Sequence, residues 1–296
     1  MGKKRLDAPM LGVIFALAWP TMLQELMQTA VQYIDTAMVG SLGTQATAAV
    51  GATGTVSWLV NGTVSALGVG VLAYISQAVG AGEQERAKRA AAQSALMALA
   101  VGVVLTILTT SLSGSIVRWM QVAPTIRDAA AQYFRILYLS MLFRTMNILF
   151  SMVLRAVGDS RTPMKVGLRV NFLNVLLNTL LIYPAGTAHL MGISFPMWGA
   201  GWGINGAAAA SAIAYTYGGI SMAVRLWRHP LICPRGQRFA PDPQVLKPCL
   251  KVAVPNMLQR FGTSLGYVAF ASMINALGDV SAAAHTIANT VESLFY

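Results

Sequence analysis

The sequence predicts an all-α polytopic membrane protein, built as a six-helix N-terminal lobe followed by the start of a second, repeated six-helix lobe. Three observations predict it. The 296 residues are 55% hydrophobic and only 10% charged, with mean hydropathy +0.58. A soluble domain carries about a quarter charged residues, so this chain cannot cover a water-facing surface. Apolar runs long enough to span a bilayer, roughly 20 residues each, recur along the chain between clusters of turn residues. The chain also repeats itself at long range.

The predicted spans are 10–39, 46–79, 91–113, 129–154, 163–184, 199–226 and 246–275, with an eighth beginning near 280. Each boundary has a breaker: GSLGT at 40–44, GAGE at 80–83, APT at 123–125, GDSRTP at 158–163, PAGTAH at 184–189 and NALGD at 275–279. The first run follows the basic stretch MGKKRLDAP. It is far too long for a signal-peptide core and shows no small-residue cleavage site, so it reads as a retained helix. Leu6 stands where a myristoylation signal needs Ser or Thr. Cys233 and Cys249 are the only cysteines and read as free thiols, neither a disulfide framework nor a metal site.

Lys and Arg predict the orientation. Alternate connections hold Lys3, Lys4 and Arg5, then Arg86, Lys88 and Arg89, then Arg155, Arg161 and Lys165. The series continues with Arg225, Arg228, Arg235, Arg238, Lys247 and Lys251. The opposite connections hold only Arg118 and Arg127. Basic residues accumulate on the cytoplasmic side, so the N-terminus is expected there, in a multi-pass protein of the cell membrane. The net charge of +11 then reflects loops facing anionic headgroups rather than nucleic acid.

An offset of 235 residues, from Pro20 to Pro255, brings AWPTMLQ onto AVPNMLQ, Met38 onto Met273 and Thr55-Val56 onto Thr290-Val291. Six helices separate the copies, so both enter the membrane from the same side, as in parallel-repeat transporters. The expected divisions are an N-terminal lobe at 1–229, an inter-lobe loop at 230–245, and the first helix and part of the second of a truncated C-terminal lobe at 246–296.

Polar residues inside these spans mark the candidate site. Thr21, Gln24, Glu25, Gln28, Gln32 and Asp35 fall within about a third of the helix circumference at 100° per residue. A charged Asp near a helix centre costs about 2.5–3.5 kcal/mol on insertion scales. The stripe must therefore face protein or a water-filled cavity, as a helix–helix seam or as a binding surface. In the fifth span, Asn171, Asn174 and Asn178 share one face. Asp35 with Asn174 and Asn178 would give hard oxygen donors for Na⁺; kept from water, the same carboxylate would hold a proton. Arg135 and Arg144 lie in the fourth span, the first placed to snorkel outward and the second deep enough to pair with a buried acid. Arg260 is placed to snorkel, His189 and His229 are expected in solvent, and Glu292 lies deep in the eighth span. No HExxH, P-loop, nucleophile elbow or cysteine–histidine spacing occurs, so transport driven by an ion gradient is expected rather than catalysis.

SQAVGAGEQERAKRAA at 76–91, LRAVGDSRTPM at 154–164, Pro20 with Asp35-Thr36 and Gly40, and AAHTIANTVESL at 283–294 together resemble the multidrug and toxic compound extrusion (MATE) transporters. The resemblance covers essentially the whole chain. It implies the MATE/MOP-type fold: twelve helices in two lobes around a cavity open alternately to each side. It also implies a cation-coupled antiporter, monomeric when full-length, that exports cationic or amphipathic small molecules against inward Na⁺ or H⁺ without any cofactor. The implied cation site is Asp35, Asn174 and Asn178, with Asp35 the Na⁺ ligand; Gln24, Gln28, Gln32, Asn171 and Glu292 are expected to line the substrate cavity. Two positions depart from the family pattern. Many members carry Asp where Asn178 stands, and some use a glutamate where Thr263 stands. The alternative is a lipid-linked precursor flippase of similar architecture, which would need a larger cationic cavity; Arg135 and Arg144 keep that reading open.

Overall fold

The computed structural model describes residues 8–120, 122, 124–190 and 193–275. Helices α1 (Ala8–Gly40), α2 (Thr44–Gly80) and α3 (Gln84–Ser111) are followed by the short α4 (Ser113–Trp119). Then come α5 (Arg127–Leu139), α6 (Met141–Ala156) and α7 (Arg161–Ile182), a hairpin of β1 (Pro184–Leu190) and β2 (Ile193–Ala200), and α8 (Gly203–Trp227) and α9 (Pro243–Asn275). The eighth predicted span, with His285 and Glu292, lies outside the described residues.

The seven predicted spans within the described residues are helical, with shifted ends. By length and apolarity α2, α3, α7 and α8 can each cross a membrane, and α5 with α6 make a further span bent by 49°. Helices α1 and α9, 33 residues each, also have the length to span.

Two turns end alike for the same reason. After α2, the Glu83 N–H donates to Ala78 O at 2.9 Å, with Gly82 at φ 76°. After α6, the Asp159 N–H donates to Leu154 O at 3.0 Å, with Gly158 at φ 87°. Both are left-handed glycine caps that satisfy carbonyls left over at a helix end.

Three features correct the predicted outline. The fourth span is not one helix. It breaks at Ser140, whose Oγ donates to Leu137 O at 3.0 Å, while the Leu142 N–H donates across to Thr106 Oγ1 of α3 at 3.1 Å. A side chain inserted into the backbone ladder is a standard cause of a kink. The 184–198 connection is an antiparallel hairpin with a bulge near Pro184, and the predicted start of the sixth span at 199 moves to Gly203 because Gly199 and Ala200 belong to β2. The third span is followed by a separate short helix, α4.

The core is tight because small residues let backbones approach. A Cβ at Gly219 of α8 would collide with the Phe143 carbonyl of α6, and one at Gly206 with the Leu181 carbonyl of α7. A Cβ at Gly70 of α2 would strike the Cys249 carbonyl of α9. This small-residue packing is how helices associate where lipid removes most of the hydrophobic drive. The main buried cluster joins α2, α3, α6 and α8 through Ile75, Ala91, Leu149, Phe150 and Met222. Both cysteines are free thiols.

Residues 228–242, most of the predicted inter-lobe loop, fold back over α3. Gln93, 1% exposed, donates from Nε2 to Ala240 O at 2.7 Å and accepts from the Asp242 N–H at 3.1 Å. Gln237 Nε2 donates to Glu85 Oε2 at 3.0 Å. Asp242 then opens α9 by accepting the Gln244 N–H at 2.9 Å.

Candidate cation site

Helix α1 lies along α7, and the tips of the two helices are joined by a hydrogen bond between Ser41 Oγ and Tyr183 Oη at 3.0 Å. This fixes the register that sets Asp35 opposite Asn178. The Asn178 amide, 1% exposed, donates from Nδ2 to Asp35 Oδ1 at 2.5 Å. One turn earlier Asn174 faces the same carboxylate. In the amide orientation that satisfies both its ends, Nδ2 donates to Asp35 Oδ1 and Oδ2 at 3.0 and 3.1 Å, and Oδ1 accepts from Ser211 Oγ of α8 at 3.0 Å; that orientation is assigned from the hydrogen-bond network.

Asp35 is half-buried, and among the described residues no basic side chain forms an ion pair with it. Two neutral amides hold it instead. Hydrogen bonds to a charged group contribute about 1.5–3 kcal/mol each. Two of them offset the roughly 2.5–3.5 kcal/mol cost of the carboxylate in the membrane. The grip is therefore sufficient without a counter-charge but leaves little surplus, so a cation or proton arriving at Asp35 changes the balance. Each amide also carries an oxygen. Asn178 Oδ1 is buried, with no hydrogen-bond partner among the described residues. Turning either amide about its last torsion would replace a donor by an acceptor, which is what a cation on Asp35 requires.

The remaining sequence candidates separate from this cluster. Gln24 accepts a hydrogen bond from Arg155 Nη2 at 3.1 Å and packs over Gly167 of α7, so it is engaged in a polar seam. Gln28 and Gln32 are exposed on the open side of α1, and Asn171 has no hydrogen-bond partner among the described residues. Among the described residues Arg144 pairs with no acid: its guanidinium stacks over the Tyr215 ring, 4.4 Å from the centroid. Arg135 is exposed, and Arg260 Nε bonds to Asn256 Oδ1 at 3.1 Å within α9. His229 is half-buried in the loop after α8; its Nδ1 accepts the Leu231 N–H at 3.3 Å. One residue of the site, Ser211, carried no sequence signal, lying in the small-residue run AAAASAIA; Arg155, the partner of Gln24, counted only as a loop charge.

A family model, MatE, matches residues 20–180, more than half of the chain and the part holding Asp35, Asn174 and Asn178. The chain belongs to the MatE family. Among other MatE-like relatives, it is 28% identical over 283 residues to "Probable multidrug resistance protein NorM" of Thermotoga maritima, covering 96% of this chain and 59% of that protein. It is 28% identical over 279 residues to "Probable multidrug resistance protein YoeA" of Bacillus subtilis, covering 93% and 58%. The fold matches a MOP superfamily transporter from Pyrococcus furiosus, described as having a binding pocket of reverse polarity, with TM-score 0.83 and 26% identity over 95% of this chain and 60% of that one. It also matches MATE in the bent conformation with TM-score 0.84 at 26% identity, over 95% and 60%. The chain thus spans about 60% of the length of these relatives. MatE proteins are membrane transporters, not enzymes, and the all-α polytopic fold is theirs.

Proposed function

We propose that this chain supplies the cation-handling lobe of an antiporter that exports cationic or amphipathic small molecules against inward Na⁺ or H⁺. The observation that carries the reading is the Asp35 carboxylate held inside an apolar bundle by Asn178 and Asn174, with no basic partner among the described residues. The names of the relatives, multidrug resistance proteins, support the substrate class.

In the mechanism, Asp35 takes up the cation from the outside. The amides of Asn174 and Asn178 turn their oxygens toward a bound Na⁺, or accept from the protonated carboxyl. Either change weakens the donor grip that ties α1 to α7. Pro20, buried within α1, gives that helix a point at which to bend or shift. Cation and exported compound favour different arrangements of the lobe, so each lowers the affinity for the other, as linkage requires. The exposed Gln28 and Gln32 lie on the same helix face as Asp35 and offer neutral hydrogen bonds to a compound in the cavity. The flippase reading is weakened because Arg144, one of the two cations it needs, is occupied by Tyr215.

The test uses the full-length protein in vesicles, with dye efflux measured under separate Na⁺ and pH gradients. Asp35→Asn should lower gradient-driven efflux by about tenfold or more, in line with the loss of a charged hydrogen-bonded group. Efflux at the wild-type rate under both gradients would refute the mechanism. Glycolipid flipping by the wild type without dye efflux would favour the alternative.

A further inference from the structure

A second site lies away from Asp35, where the start of α7 meets the end of α8. A cleft of about 470 Å³ opens there, with Arg169 on one wall and Arg225 and Arg228 on the other. A smaller hollow of about 140 Å³ adjoins it, sharing Arg169 and Arg225 and adding Lys165. All four cations are exposed, and none forms an ion pair or side-chain hydrogen bond among the described residues. The one carboxylate in the lining, Asp159, already accepts the Thr162 N–H at 3.0 Å at the head of α7. Three like charges around each of these adjoining hollows repel unless an anion sits among them.

The surface below the cleft changes character in register on both helices. On α7, Lys165 and Arg169 are followed at helical spacing by Phe172 and Leu176, both exposed. On α8, Arg228 and Arg225 are followed, moving inward, by Val224, Ile220, Tyr217 and Ile213, all exposed and on one face. Arg169 to Leu176 is about 10 Å along the helix and Val224 to Ile213 about 16 Å. One leaflet of the hydrocarbon core is about 15 Å deep. Basic groups at one end and an apolar stripe one leaflet long complement a phosphate headgroup and its acyl chain. Arginine suits phosphate because its planar fork donates two parallel hydrogen bonds.

We propose that the cleft between the start of α7 and the end of α8 is a binding site for an anionic phospholipid, with Arg169, Arg225 and Arg228 on the phosphate, Lys165 beside it, and an acyl chain along the α7 and α8 stripes. The site is independent of the Asp35 mechanism. It would hold lipid on a lobe whose α7 also carries Asn174 and Asn178.

The experiment is native mass spectrometry of the full-length protein with phosphatidylglycerol, phosphatidylcholine or inorganic phosphate added. The double variant R169Q/R225Q should lose phosphatidylglycerol occupancy by about tenfold, whereas R235Q/R238Q, with the same loss of charge in the exposed linker, should stay within about twofold of wild type. Equal losses in both variants would mean diffuse attraction to basic loops and overturn the proposal. In the wild type, phosphatidylglycerol should outcompete phosphatidylcholine. Equal binding of the two lipids, or displacement of the lipid by millimolar phosphate, would also overturn it. These wild-type arms decide the matter if the double variant does not fold.

Discussion

Asp35 and Asn178 show how one substitution sets the character of a site. A second carboxylate at 178, which many MATE-type sequences carry, would face Asp35 at hydrogen-bond distance, and two such groups cannot both ionise without a cation between them. With Asn at 178 a single charge is held by neutral donors. Asn178→Asp should therefore make the full-length protein more dependent on protons or Na⁺ for stability. Its melting temperature should fall by several degrees more than wild type between pH 5.5 and pH 8 in Na⁺-free buffer, since each unit of pKa displacement is worth about 1.4 kcal/mol. Identical pH dependence of the two proteins would contradict this. The residues of the cluster were legible in the sequence because a helix period of 3.6 places Gln24 to Asp35 on one stripe and the three asparagines on another. What periodicity could not show is which groups meet across helices. Gln24 reads as a cavity residue until Arg155, 131 positions away, is seen bonded to it. Ser211 reads as one more small residue until its Oγ is seen to donate to Asn174 Oδ1.

At the scale of elements, breakers such as GAGE and GDSRTP located the helices because their glycines adopt left-handed backbone that ends a helix. The break at Ser140 had no such marker. Its cause is tertiary, a hydroxyl of α3 taking the Leu142 N–H, and no local pattern reports it. The hairpin after α7 was hidden for a related reason. Its short strands are fastened through the Gly201 and Trp202 N–H groups to carbonyls at the end of α7, at 2.9 Å each. Glycines in the middle of α8 look like weaknesses by helix propensity, yet they are where α6 and α7 come closest. Gly219→Val should destabilise the protein strongly, because its Cβ would meet the Phe143 backbone, which cannot move aside like a side chain. Overpacking typically costs about 1–3 kcal/mol, occasionally more, so the variant should melt several degrees lower or fail to accumulate. Gly262→Ala, at a position with open space around it among the described residues, should be neutral to mildly stabilising in the same thermal assay, because Ala favours a helix interior over Gly by about 0.5–1 kcal/mol.

On the whole-molecule scale, the 235-residue offset predicts a lobe followed by the start of its repeat, but it says nothing of how the connection is fastened. Residues 228–242 are pinned by Gln93, whose one amide satisfies both a carbonyl and an N–H of the linker. Gln93→Leu leaves both groups unpaired, at about 1–3 kcal/mol each if they stay buried. The linker should open locally, and limited proteolysis within 228–242 should speed up by roughly tenfold. Unchanged cleavage would mean that Ile232 and the α9 contacts hold it alone. The central claim is that Asp35, gripped by two amides, is where the coupling cation sits. The most direct measurement is cation exchange by purified full-length protein at equilibrium: radioactive Na⁺ bound, and protons released, as an exported dye is titrated in. Wild type should lose bound Na⁺ or release a proton as dye binds, and Asp35→Asn should do neither. The same ion exchange in Asp35→Asn would contradict the account.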